Sequence, residues 1–257
     1  MHASDDRPLR GKRVLITRAG EQSESFASAL RAQGAEPLVA PTIAIHALDD
    51  PSPLDEAIDN FSTFSWIVFT SQNGVDAFMP RAMQRNATTH DIKIAAIGQQ
   101  TADRLRGYGA SVALTAEQHL SETLAQELIA LASPGQRVLV VRAVEGRDVL
   151  RKLLEAAGFE VTMAPAYRTV IAHDPAFSGK VRSVDTVTFT SASTVRGFSQ
   201  LLQGRAPEAA REKCVACIGP ITARAAREFG LHVDVVATCH TVGGLIDALR
   251  AHYGTAL

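Results

Sequence analysis

Arg13-Val-Leu-Ile-Thr-Arg18 returns later in the chain as Arg137-Val-Leu-Val-Val-Arg142. Each copy opens with a short apolar run, the pattern of a buried strand. Two further motifs keep the same order: Thr70-Ser71 returns as Thr190-Ser191, and Ile97-Gly98 returns as Ile218-Gly219. Three motifs recurring in sequence at a nearly constant offset imply two copies of one structural unit. Two similar lobes with a cleft between them are expected.

Outward from these strands the chain alternates. After Val14-Leu-Ile-Thr17, residues 21–33 show helical spacing through Phe26, Ala29 and Leu30, and Gly34 stops the helix. Glu36-Pro-Leu-Val-Ala40 is a second strand that reaches Pro41, and residues 42–48 form an extended segment. Strands follow at Trp66-Ile-Val-Phe-Thr70, Ile94-Ala-Ala-Ile97 and Ser111-Val-Ala-Leu-Thr115, each leading into a helix. The second copy repeats the plan: strand 138–141, helix 148–157 stopped by Gly158, strand 160–165 ending on Pro165, and an extended segment over 166–172. Strands at 185–190, 215–218 and 232–236 and a last helix over 241–252 complete it. Continuous apolar strands alternating with amphipathic helices indicate parallel sheets covered on both faces. Each lobe is expected to be a doubly wound α/β domain of about five strands in flavodoxin-like order. Taken alone, the repeat puts the boundary near residue 135.

Composition narrows the function classes. At 257 residues and 46% hydrophobic content the chain has enough apolar material for two cores. The net charge of -1, with both signs interspersed, offers no basic stripe for nucleic acid and points to a small-molecule partner. The polar start lacks the apolar run of a signal peptide and no segment is long enough to span a bilayer, so a cytoplasmic protein is expected. Three cysteines are too few for a disulfide framework. Cys214 and Cys217 fall in a strand and point to opposite faces. A zinc site from Cys214, Cys217, Cys239 and His240 would require that pair on a knuckle loop instead.

In a doubly wound sheet, ligands bind beyond the carboxyl ends of the strands. Thr17-Arg18, Thr70-Ser71-Gln72-Asn73, Ile97-Gly98, Arg142, Thr190-Ser191-Ala-Ser193 and Ile218-Gly219 all lie where a strand hands over to a helix. Such turns cap helices and also cradle anions, because free N–H groups point outward with the helix dipole behind them. Several on one edge suit a ligand with many acidic groups. No Walker sequence, Gly-x-Gly-x-x-Gly turn, Gly-x-Ser-x-Gly elbow or His-Glu-x-x-His helix is present. His46, His119, His173, His232 and His240 read as loop or solvent-facing residues. An enzyme of this kind works by orienting a reactive substrate and stabilising charge as it develops. The competing reading is a noncatalytic two-lobed sensor or binding protein for an acidic small molecule.

Thr17-Arg18, Pro41, Phe69-Thr-Ser-Gln-Asn-Gly74, Ile97-Gly98-Gln-Gln-Thr101-Ala102, Pro165-Ala-Tyr167-Arg168, Phe189-Thr-Ser-Ala-Ser193 and Ile218-Gly219-Pro-Ile-Thr222-Ala223 together resemble uroporphyrinogen-III synthases, over nearly the whole chain. The resemblance implies a cofactor-free and metal-free lyase of heme biosynthesis. Its substrate would be hydroxymethylbilane, a linear tetrapyrrole with acetate and propionate arms. The product would be uroporphyrinogen III, formed by loss of water and inversion of the last pyrrole ring through a spiro intermediate. It implies a discontinuous domain 1 (residues 1–40 and 173–257), a domain 2 (residues 49–164), and antiparallel linker strands over 41–48 and 165–172. Tyr167 is then the candidate proton donor to the departing hydroxyl. Thr17, Arg18, Ser71, Gln72, Asn73, Gly98, Thr101, Arg142, Arg147, Ser191, Ser193, Gly219 and Thr222 are candidate substrate-binding residues. A monomer that receives substrate from the preceding pathway enzyme is also implied, with no nucleic-acid or membrane partner. The second copy lacks Asn73 and carries Thr194, so the turns are not interchangeable.

Overall fold

The computed structural model describes residues 7–20, 22–87, 92–116, 121–146 and 148–254. The chain divides into two compact units, Met1–Ala44 with Val170–Leu257, and Ile45–Thr169. Unit 1 begins with β1 (Arg13–Ile16), α1 (Gln22–Ala32) and β2 (Glu36–Val39). The boundary falls within β3 (Ile43–His46). Unit 2 continues with α2 (Ser52–Asp59), β4 (Trp66–Phe69), α3 (Gln72–Gln84), β5 (Lys93–Ile97), α4 (Gln99–Gly107) and β6 (Leu114–Ala116). It ends with α5 (Ser121–Leu131), β7 (Arg137–Ala143), α6 (Val149–Ala156) and most of β8 (Glu160–Ile171). The chain then completes unit 1 with α7 (Phe177–Arg182), β9 (Thr186–Phe189), α8 (Ala192–Leu201), α9 (Ala206–Ala210), β10 (Cys214–Cys217), α10 (Pro220–Glu228), β11 (Val235–Val236) and α11 (Val242–Gly254).

The sheet of unit 1 runs β11-β10-β9-β1-β2, all neighbours parallel. In unit 2 the order is β3-β8-β7-β4-β5-β6, with every pair from β8 to β6 parallel. If β7 is counted as the first strand of unit 2, its five parallel strands have the same neighbour order as unit 1. The two units are therefore one doubly wound plan entered at different points of the chain. A boundary near residue 135, suggested by the repeat alone, is contradicted, because β7 beyond it pairs with the whole of β4 before it, through Val138–Val141.

β4 and β1 each serve two cores, which is why their apolar runs are unbroken. Ile67 and Phe69 of β4 face a cluster with Val75, Phe78 and Leu105, whereas Trp66 and Val68 face one with Leu124, Leu128 and Leu154. In unit 1, Val187 and Phe189 pack with Phe177 and Phe198, while Val14 and Ile16 pack with Phe26, Leu30 and Leu249. Each such side chain contributes about 1.5–3 kcal/mol on burial. The copies agree down to ring geometry. Phe69 meets Phe78 edge-on at 5.4 Å, and Phe189 meets Phe198 edge-on at 5.2 Å.

Several strands depart from the expected boundaries: β6 begins at Leu114 rather than Ser111, β7 runs on to Ala143, and two more departures have a visible cause. β8 does not stop at Pro165; it stays paired with β7 to Tyr167. The register shifts there, with Arg142 opposite Pro165 and Ala143 opposite Tyr167, so Ala166 is left over as a bulge. Proline lacks the amide a regular ladder needs, and an unpaired extra residue absorbs the irregularity. β11 is only two residues, because the Asp234 carboxylate accepts the Val215 amide at 2.8 Å where a longer strand would continue the ladder. Cys214 and Cys217 do lie in a strand, packed against opposite cores, so the knuckle-loop zinc arrangement is not formed. Among the described residues, no helix is long and apolar enough to cross a membrane.

Candidate active site

The bulge in β8 places Tyr167. Regular alternation after Ala164 and Ala166 would send residue 167 to the opposite face, yet all three pack in the same cluster. The ring is 7% exposed, and its hydroxyl lies 2.9 Å from Ser71 Oγ. Ser71 is the N-cap of α3 and accepts the Gly74 amide at 3.1 Å. An oxygen that accepts from Gly74 still has its own proton to donate to Tyr167, which leaves the phenolic proton free to point elsewhere. Burial raises the Tyr167 pKa most strongly; hydrogen bonds from Ser71 and Asn73 pull it back down, and the Glu145 carboxylate adds a smaller upward push. The phenol is thus a neutral acid whose anion would find two donors and a helix N-terminus.

The adjoining turn is tied in. Gln72 Nε2 donates to the Gln100 carbonyl at 3.2 Å, linking the first turns of α3 and α4. The Gly98 amide is not offered to a ligand, because it donates to Ala116 at 2.9 Å. Thr101 and its counterpart Thr222 occupy the third positions of α4 and α10 and are 5% and 4% exposed, so nearly all of each lies inside its unit.

In unit 1, Ser191 caps α8 in a reciprocal box with Thr194, and Ser193 accepts from Arg196 at 3.1 Å. Arg18 follows β1, and its burial lowers its pKa from the usual arginine value. A methyl group at Gly219 would lie 3.0 Å from His240 Cδ2, so the imidazole covers the turn that starts α10. His240 therefore does not simply face solvent; no spacing pattern marks it, because β11 and its following loop bring it there. His232 does face solvent, with 89% side-chain exposure. His119 lies outside the described residues.

Two candidates have their polar groups engaged inside their own units. The Thr17 hydroxyl is fully buried and donates to the Thr188 carbonyl at 2.7 Å. Arg142 turns inward: its Nε donates to the Ala143 carbonyl at 2.9 Å, Nη1 to Asp148 at 2.6 Å, and Nη2 to the Gly146 carbonyl. That guanidinium is committed to the loop after β7, and it holds the Asp148 carboxyl below the usual range. Arg147 lies outside the described residues. A concavity of about 610 Å³ in unit 1, lined by Arg182, Arg205, Glu208 and Lys213, sits where the chain enters β9 and β10, the sheet edge away from these turns.

A strand-borne buried tyrosine at a helix N-terminus and matched polar turns in two like sheets coincide with one family model. That model, Uroporphyrinogen-III synthase HemD, matches residues 24–247. The chain belongs to the uroporphyrinogen-III synthase family. It is an enzyme of porphyrin biosynthesis, a cyclising lyase. Among curated relatives of this family, the uroporphyrinogen-III synthase of Synechococcus elongatus is 32% identical over 256 residues, covering 95% of this chain and 97% of that one. The porphyrin biosynthesis protein HemD of Ruminiclostridium josui is 30% identical; the match takes in 95% of this chain and 49% of that longer protein. The structure of a mutant uroporphyrinogen III synthase from the extremely thermophilic bacterium Thermus thermophilus aligns with TM-score 0.68 over 95% of this chain and 100% of that one, at 18% identity, a likeness of fold. The uroporphyrinogen-III synthase fold thus accounts for both sheets.

Proposed function

We propose that the chain converts hydroxymethylbilane into uroporphyrinogen III, with the Tyr167 hydroxyl as the acid that protonates the departing hydroxyl. The carrying observation is the Tyr167–Ser71 contact of 2.9 Å at the start of α3. Proton transfer from the phenol releases water and leaves an electrophilic azafulvene. The substituted carbon of the last ring attacks it, the spiro intermediate fragments, and closure inverts that ring. The proton lost on re-aromatisation returns to the tyrosinate, which Ser71 and Asn73 stabilise meanwhile. Ser191, Ser193 and the first turns of α4 and α10 hold carboxylate arms through hydroxyls and helix N-termini. Arg18 supplies a cation. Because the bilane also cyclises unaided to the type I isomer, most of the enzyme's work is folding it for the spiro step. Residues 1–40 with 173–257 and residues 49–164 serve as the two substrate-holding domains, joined by antiparallel linker strands. A monomer suffices, taking substrate from the enzyme that precedes it.

The test is to add hydroxymethylbilane to the purified chain and resolve the product isomers. Type III product is expected. Type I alone, at the spontaneous rate, would leave a binding or sensor role instead. Tyr167→Phe is expected to lower kcat by about 10²-fold, the lower end for general acid catalysis, without abolishing turnover. Full turnover in that variant removes the proton-donor role.

A further inference from the structure

Thr42 is completely buried where the chain leaves unit 1. Its amide donates to the Thr17 carbonyl at 3.0 Å, and its carbonyl accepts the Ala172 amide at 3.1 Å, just after the chain has come back. Its hydroxyl donates to the Thr194 carbonyl in the first turn of α8 at 2.9 Å and also approaches the Thr17 carbonyl at 3.3 Å. A hydroxyl in a dry interior is costly unless partnered. This one is satisfied by joining the end of β1, the outgoing chain and α8.

A second oddity meets it at the same point. Gly197 sits in the middle of α8, where glycine costs about 1 kcal/mol relative to alanine. A methyl group there would lie 2.4 Å from the Thr42 carbonyl oxygen. The missing side chain lets α8 and the outgoing segment touch backbone to backbone. The turn so held carries Ser191 and Ser193.

We infer that Thr42, seated against Gly197, is a positioning residue: it registers the Ser191–Ser193 turn against the end of β1 and the point where the chain departs and returns. The inference rests on those serines holding substrate arms. It predicts that the Thr42 hydroxyl controls turnover and product isomer without touching substrate.

Thr42→Val, Thr42→Ser and Gly197→Ala in the full chain test it, with kcat, KM, the ratio of type III to type I product, and thermal melting measured for each. Misplacement of catalytic geometry by 1 Å costs up to about 10²-fold. Thr42→Val is expected to lower kcat/KM about tenfold and raise the type I share, and Thr42→Ser to recover within about twofold. Gly197→Ala should move both readouts in the direction of Thr42→Val. Wild-type values in Thr42→Val overturn the inference, as does equal impairment in the serine and valine variants, which would mean packing alone. If Thr42→Val does not fold, an unchanged kcat/KM in Gly197→Ala overturns it. A wild-type chain that yields only type I product defeats the underlying functional reading instead, which keeps the two failures apart.

Discussion

Tyr167 has its pKa raised by burial and moderated by two hydrogen bonds, so it holds its proton through and beyond the ordinary phenol range. The pH–rate profile is therefore expected to show no loss of the acid form below about pH 10; a downturn near neutrality that disappears in Tyr167→Phe would contradict this. Ser71→Ala removes a helix cap and a donor to Tyr167 together. It should cost about 1 kcal/mol in thermal unfolding, push the Tyr167 pKa higher still, and slow turnover. Arg142 behaves differently. Arg142→Ala is expected to destabilise by about 2 kcal/mol, the scale of a charged hydrogen bond in a partly closed site, while KM for the bilane stays near wild type. An unchanged melting temperature with a raised KM would restore Arg142 to the binding set. In the sequence, Arg142 and Thr17 look like anion ligands because both end a strand. Only folding brings Asp148 and the Thr188 carbonyl within their reach. Tyr167 itself is legible through family resemblance, since a tyrosine in an apolar segment carries no spacing signal.

Strands and their following helices are the readable level. Unbroken apolar tetrads such as Trp66-Ile-Val-Phe69 can be satisfied only between two helical layers, and the serine after such a run is a cap by chemistry. Ser71 and Ser191 adopt the same extended backbone, with φ of -165° and -164°. What the pattern hides is the length of β8. Pro165 reads as a stop, whereas parallel pairing with β7 carries the strand over it. The aromatic pairs behind the two caps give a matched prediction. Phe78→Ala and Phe198→Ala should each cost about 3–5 kcal/mol, because both rings are fully buried and pack edge-on against a strand phenylalanine. Chemical denaturation checks this, and a loss well under about 1 kcal/mol in either would show that the two cores are not equivalent.

At the scale of the chain, one unit is inserted into the other between Ala44 and Val170. The hydrogen bond between Ala172 and Thr42 holds the ends of that insertion together. Joining Ala44 to Val170 through a short turn should therefore leave unit 1 able to fold alone, as judged by circular dichroism and a cooperative melt; a non-cooperative product would show that it depends on residues 45–169. Alkali offers a second global test. Burial raises the Cys214 thiol to about 11, the Cys217 thiol to about 12 and the Tyr253 phenol to about 12, from ordinary values of 9.0 for the thiols and 10.0 for the phenol. The native state keeps protons that the unfolded chain gives up, so stability is whole below about pH 9 and falls as pH climbs toward about 12. Calorimetry across that window should show the melting temperature level, then declining. The repeat, the strands and the helices announce two lobes; which strands share a sheet depends on pairing between residues far apart, and no local pattern encodes it.

The bulge at Ala166 turns chain length into a matter of parity. Side chains along β8 alternate between two cores, and because the bulge absorbs the extra residue, Tyr167 takes the place opposite Ala143 and its ring faces the α3 cap. Deleting Ala166 would straighten the ladder and keep the tyrosine opposite Ala143, on the Ala164 face, whereas deleting Pro165 with it would carry the ring to the α5 and α6 side. Loss of Ala166 alone should therefore be tolerated where loss of Pro165 and Ala166 together silences the enzyme, a discrimination that substitution scanning alone would never reveal.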